Sequence, residues 1–283
     1  MAETAFQVQY RQEFIAGFEQ RQTLLRQAVT TEAVVKGNQA TFLIADSGSA
    51  SAVTRGVNGL IPARADNLTQ TTATLVEWHD LVRKTSFNIF ASQGNQRDIM
   101  QKTTMSVVNR KIDSDILTEL GNATVTAGAA TTASVGLALK AKTILGVAKV
   151  PWDGNIWSII SPAFEAYLMQ TKEFANAEYV GQKPIPGGDT AWADQPGFYR
   201  WLGVNWVVHP GVAGVGTSSE TCFMFHKSAI GHAYDSQTLA TRVGYDDEQD
   251  YSWARASIYM GSKLLQNSGI VKILHDGSAY VGS

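Results

Sequence analysis

The residues from Thr69 to Gly121 leave the chain few ways to fold. The stretch NQRDIMQKTTMSVVNRKIDSDILTEL (95–120) holds neither Pro nor Gly, the two residues that most disfavour a helix interior. Asn95 stands where an N-cap belongs and Gly121 where a helix would stop. Met105, Val108, Ile112, Ile116 and Leu120 recur at steps of three or four, which stacks them on one face. About 25 helical residues at about 1.5 Å each make a rod of about 38 Å. Ahead of it, TQTTATLVEWHDLVRKTSF (69–87) is rich in Thr, Val and aromatics and loosely alternates apolar with polar residues, as a long strand does. A long strand feeding so long a rod suits a lattice-building protein better than a compact enzyme pocket.

The 283 residues can bury a sizeable core in one large or two small domains. Only 17% of them are charged, against about 25% in a typical soluble domain. Such a chain fits an obligate oligomer, which buries extra surface in partners. A formal net charge of −2 argues against a dedicated nucleic-acid binder. It leaves room for a container that encloses nucleic acid without gripping it. Cys222 is the only cysteine, so an intrachain disulfide and a Cys-based zinc site are both excluded. The start lacks a signal pattern, and no run of about 18 apolar residues occurs. Synthesis in a reducing cytoplasm is the expectation.

Along the chain, residues 8–29 read as a helix with a thin stripe of Phe14, Phe18, Leu25 and Val29. A helix that polar needs a neighbour, either its own domain or another subunit. Residues 33–46 read as two short strands around the Gly37-Asn38 turn. From Ser47 to Asn67 runs a loop of about 20 residues, long enough to mark a functional flap or an arm. The small residues of 122–135 are the best candidate boundary. Beyond it lie a helix at 135–149, an apolar strand at 155–161, and a helix capped by Ser161 with Pro162 in its first turn. GFYRWLGVNWVVHPG predicts two strands, ETCFMFHKSAIGHAY a strand and then a short helix. Two long strands joined by the acidic turn 246–250 and a short strand at 269–274 close the chain.

Catalytic signals are weak. The five histidines are scattered without metal-ligand spacing. His226 and His232 lack a third ligand, and His79 reads as a strand residue with a satisfied hydrogen bond. The carboxylates at 246–250 lack the spacing of a calcium loop and read as a solvated hairpin tip. GVAGVG (211–216) has the wrong spacing for a dinucleotide site, and Cys222 in TCFMF reads as a buried apolar residue. No catalytic residue, cofactor or metal is expected.

Element order and particular segments point further. IPARADNLTQTTATLVEWHDLVRKTSF resembles the extended-loop return strand of the tailed-bacteriophage major capsid proteins, the HK-ninety-seven-like family. VVNRKIDSDILTEL is similar to the family's long spine helix, SPAFEAYLM and WLGVNWVVHPG to its axial-domain helix and strand, and WARASIYMGSKLLQNSGIVKIL to its closing strands. The resemblance implies an α+β fold with an N-terminal arm (1–39), an extended β-hairpin loop (40–93) and a spine helix of the peripheral domain (94–122). A mixed α/β axial domain (123–240) and C-terminal strands (241–283) complete it.

It further implies a non-enzymatic protein assembling with itself into pentamers and hexamers of an icosahedral shell around phage double-stranded DNA. Assembly would occur in the host bacterial cytoplasm, with a separate scaffolding protein or none, and with a portal and a decoration protein as candidate partners. Arg55, Arg64, Arg83 and Lys84 would then be candidates for intersubunit charge pairing, with Phe14 and Phe18 as apolar interface candidates. The Lys–Asn crosslink known in the family finds no assignable pair. An encapsulin-like nanocompartment, a carbohydrate-binding protein using the Trp-rich strands, and a tail-tube protein remain alternatives.

Overall fold

The computed structural model describes residues 21–32, 35, 37–47, 50–64, 67–91, 95–172, 198–236 and 240–281. In chain order the elements begin with β1 (Thr30–Glu32), β2 (Gln39–Asp46), β3 (Asn67–Thr74), β4 (Val76–Thr85), α1 (Ser86–Ala91) and α2 (Gln96–Gly121). Then come α3 (Val135–Val147), β5 (Ile156–Ile160), α4 (Pro162–Met169), β6 (Phe198–Trp201), β7 (Val204–Val208) and β8 (Glu220–His226). The last are β9 (Ile230–Tyr234), β10 (Ala240–Asp246), β11 (Tyr251–Leu264), β12 (Ile270–His275) and a short helix α5 (Ser278–Val281). Two compact units emerge, one containing Glu77–Ile112 and Asp235–Tyr259, the other Leu24–Val76, Asp113–Tyr234 and Met260–Ser283.

In the first unit β11 pairs with β10, antiparallel from Ala240↔Ser257 to Asp246↔Tyr251, and with β4. Strand alternation sorts the β4 side chains: Glu77, His79, Leu81 and Arg83 are exposed, while Trp78, Asp80, Val82 and Lys84 are half-buried. The half-buried set meets α2. The Lys111 ammonium lies 3.9 Å from the centre of the Trp78 ring, a cation–π contact. Burial raises the Asp80 pKa, an effect that the Arg110 charge opposes.

Helix α2 starts as its sequence predicts. The Asn95 side-chain oxygen accepts the Asp98 N–H at 3.4 Å, and the Asn95 amide donates to the Asp98 carboxylate at 2.8 Å. Its buried line is Met100, Thr104, Val108, Ile112, Ile116 and Leu120, a run at steps of four. Thr104 takes the place expected of Met105. It can be buried because its hydroxyl donates to the Met100 carbonyl at 2.9 Å. Gly121 is the last helical residue and does not adopt the left-handed conformation. The Lys272 ammonium instead donates to its carbonyl at 3.3 Å, a cation at the negative end of the helix.

The second unit is built on a five-stranded sheet in the order β12-β8-β5-β7-β6. Every residue of central β5 is buried, which explains its uninterrupted IWSII. Ser161 caps α4 by accepting the Phe164 N–H at 3.1 Å, with Pro162 in the first turn. Residues 122–134 run beside β12 through bridges Thr126↔Lys272 and Thr131↔His275, with Ala123, Ala127 and Ala133 buried.

Three expectations are corrected. Of the helix expected over 8–29, residues 8–20 lie outside the described residues, while 21–29 carry only a 3₁₀ turn at Arg26–Ala28 and then enter β1, so no helix reaches Val29. A buried carboxylate (Asp113) takes the Leu24 and Leu25 N–H groups, and the β-branched Val29-Thr30-Thr31 run pairs parallel with β9. The hairpin does not form around Gly37-Asn38: β2 pairs with β3 from Gln39↔Thr74 to Asp46↔Asn67. The segment after His226 is a 3₁₀ turn and then strand β9, which pairs with both β1 and Met260–Leu264 of β11.

Candidate functional site

The β2–β3 hairpin is buried only at its root, where Ala40 and Ala73 lie, and its exposure grows toward the tip. Two close approaches fix that root. The Phe42 ring covers Gly231, where a Cβ would come within 2.7 Å of it, and the Thr74 carbonyl abuts Gly261. Beyond the root, Leu43, Val53, Leu60, Ile61 and Leu68 are each more than half exposed, and Val57 is wholly so. A monomer gains nothing by displaying such a row, and contiguous exposed apolar surface marks an interaction site.

Arg55 and Arg64 act within this loop. Arg55 Nη1 donates to the Gly59 carbonyl at 3.2 Å and Arg64 Nη1 to the Ser47 carbonyl at 3.1 Å. The Gly56 N–H to Leu60 carbonyl bond of 3.0 Å closes the tip. Arg83 and Lys84, being consecutive on β4, face opposite ways. Arg83 lies 5.0 Å from the Tyr251 ring centre on the exposed side, and Lys84 donates to the Gln96 side-chain oxygen. Each of the four cations thus has its own partner within the chain. Phe14 and Phe18 lie outside the described residues.

Three buried polar groups hold the second unit together. Asp113 of α2, fully buried, accepts the Leu24 N–H at 2.9 Å and the Leu25 N–H at 3.2 Å. It also faces His209 Nε2 at 3.3 Å. Because His209 Nδ1 accepts the Gly211 N–H at 2.9 Å, the ring proton sits on Nε2 and is donated to Asp113. The carboxylate therefore ties the N-terminal segment to the spine of the unit. Glu220 accepts from Ser161, from the Gly216 N–H at 2.7 Å and from His275 Nδ1 at 2.7 Å. Here the acid stands between Ser and His, so the Ser161 hydroxyl meets the carboxylate and not the imidazole, unlike a nucleophile paired with its histidine. The arrangement braces β8, β12 and the α4 cap.

The third group is His232. The Ser262 hydroxyl donates to Asp115 at 2.6 Å and so accepts from His232 Nδ1 at 2.9 Å. Nε2 is left buried without a donor or acceptor. Burial, with help from Arg26 and against Asp113, pulls the His232 pKa from 6.5 down to about 4. The unfolded chain therefore binds more protons between those values. Stability is complete above the higher value and falls as the pH drops toward the lower. Between pH 7.5 and 5 this site should remove about 2 kcal/mol. Urea unfolding of the free subunit at the two pH values would show the loss, and His232→Asn should reduce it; an unchanged slope would refute the assignment.

His226 is engaged with Asp153 at 3.0 Å, and His79 with Ser257 at 2.8 Å. Burial pushes the Cys222 thiol up to about 12, far from a reactive thiolate. Among the described residues no three His, Cys, Asp or Glu side chains are grouped to hold a metal ion. No helix there is long and apolar enough to cross a membrane. Sequence reasoning misses Asp113 and Glu220, because an isolated acid carries no spacing signal, and it weighs His232 only as a metal ligand.

Comparison with known proteins bears on these features together. A family model described as phage capsid protein matches residues 2–277. No curated protein matches the chain. A solved structure from Mycobacterium phage Che8 superposes with a TM-score of 0.74 at 18% identity, covering 96% of this chain and 98% of that one. The capsid of cyanophage P-SCSP1u gives 0.68 at 13% identity, with 95% and 93% covered. The capsid of Ralstonia phage GP4 gives 0.66 at 11% identity, with 95% of each covered.

Proposed function

The chain belongs to the phage capsid protein family and is a shell-forming major capsid protein of the HK-ninety-seven-like fold, and on that premise we propose how its parts serve the shell. Copies associate as pentamers and hexamers that close an icosahedral container around double-stranded DNA. Residues 1–39 serve as the arm, 40–93 as the extended loop and 94–122 as the spine helix. Residues 123–240 form the axial domain, and 241–283 return to the peripheral domain. The protein has no enzymatic role. Assembly takes place in the host cytoplasm, with a separate scaffolding protein, a portal and decoration proteins as partners.

The observation that carries this reading is the extended loop, whose apolar side chains find no cover among the described residues of their own chain. Covering them is the work of a neighbouring copy. Arg55 and Arg64 keep the loop in shape for that contact through their bonds to Gly59 and Ser47, and any charge pairing they add is individually weak. Val57→Cys tests it by thiol labelling. The free subunit should react at the rate of an exposed cysteine and the shell about tenfold or more slowly, consistent with burial at an interface core. Equal rates would rule out the cover. The native Cys222 is buried and adds little background. The nanocompartment and carbohydrate-binding alternatives are not favoured, since the matched family is that of phage capsid proteins.

A further inference from the structure

We propose that the face of the β10–β11 hairpin carrying Arg242 and Arg255 receives the acidic tip of the same hairpin, Asp247 and Glu248, from a second copy of this chain. This rests on the shell-building reading and names one of its contacts. Arg242 and Arg255 are directly opposite each other in the antiparallel register. Like charges so placed repel. Neither side chain has a hydrogen bond or ion pair among the described residues, and Arg255 Nε is buried without an acceptor. Two pairs further toward the tip, and so on the same face, Trp253 stands opposite Gly244 and covers it, where a Cβ would come within 2.5 Å of the indole. Two guanidiniums beside a flat indole floor suit carboxylates carried on a short, rigid backbone.

The chain itself supplies that shape. Asp246 accepts the Glu248 N–H at 3.0 Å and the Gln249 N–H at 3.1 Å. Asp250 accepts the Ser86 hydroxyl at 2.6 Å and the Tyr245 hydroxyl, and its carbonyl accepts the Ser86 N–H. These two acids fix the turn. Asp247 and Glu248 remain exposed, with no partner among the described residues. Within one chain the two sets stay apart. Arg242 lies four residues along the strand from Asp246, about 14 Å at about 3.4 Å per residue. A basic face and an acidic tip that cannot meet in one copy make a heterologous contact between copies, the kind that closes rings. Charges at such a contact fix orientation more than they add affinity.

The test is a charge swap. Arg242→Glu with Arg255→Glu, and separately Asp247→Lys with Glu248→Lys, should each lower shell yield about tenfold or more, while the free subunits unfold as the wild type does. Joining all four substitutions should bring the yield back to within about threefold of wild type. Normal shells from either double variant, or no recovery in the combined one, overturn the contact. Shells that form with the reversed arginines but lose only nuclease-protected DNA would assign the face to nucleic acid and overturn it as well. The contact also has a readout independent of shells. Arg242→Cys subunits mixed with Asp247→Cys subunits should form a mixed disulfide whose yield falls with added salt. Its absence overturns the contact, whereas a mixed disulfide between these variants, with a wild-type chain that never closes a shell, would count against the shell reading alone.

Discussion

Joining Asp46 to Asn67 through a two-residue Asn–Gly turn is expected to abolish closed shells and leave a folded subunit. The register makes the join possible, because Asp46 and Asn67 are already paired across the hairpin and such a turn matches the twist of paired strands. The excised loop contributes little to its own chain. Its apolar residues are exposed, and the Arg55–Gly59 and Arg64–Ser47 hydrogen bonds lie inside the excised stretch. Cutting a loop of about 20 residues to two lowers the closure entropy by about 2 kcal/mol, so the subunit should unfold at equal or higher urea. Assembly, by contrast, loses an entire apolar contact per copy. Shells of normal size from this variant would contradict the role given to the loop.

The second large effect is predicted at Asp113. Asp113→Ala should cost the free subunit on the order of 4 kcal/mol, since it strips a buried acceptor from two backbone N–H groups and an imidazole N–H. The loss should be local before it is global. Leu24 and Leu25 amides should exchange hydrogen faster, and β1, which pairs with β9 just beyond, should follow. Asp113→Asn keeps one acceptor but places an amide against donors, so about half the loss is expected. Denaturant unfolding measures the cost and hydrogen exchange its location. A loss below about 1 kcal/mol would mean that water replaces the carboxylate and that the segment is held by Leu25, Ala28 and Val29 alone.

Local chemistry was legible in the sequence, and long-range pairing was not. The α2 helix, the Ser161-Pro162 start of α4 and the β10–β11 hairpin all rest on signals a few residues apart: a cap, a proline, an acidic turn. The partner of β2 lies across a loop of about 20 residues, and nothing near Gly37-Asn38 reveals it. The sequence of β9 reads as a helix because its strand character comes from pairing with β1 and β11, both distant in sequence. Thr104 shows the same limit within a helix, where a hydroxyl bonded to the preceding turn is buried as readily as a methionine. At the candidate site, the exposed loop was expected from its length and composition. Asp113 was not, because in NRKIDSD one buried acid looks like its solvated neighbours. The sequence marks Arg55 and Arg64 as candidates for intersubunit pairing, and within the chain they bond to their own loop.

The central claim, that this chain builds shells, is tested most directly by expressing it alone and with a cognate scaffolding protein and viewing the fractionated lysate by negative-stain electron microscopy. Closed shells, or rings of five and six subunits, are the predicted result. A subunit that stays monomeric at high concentration under both conditions would contradict it.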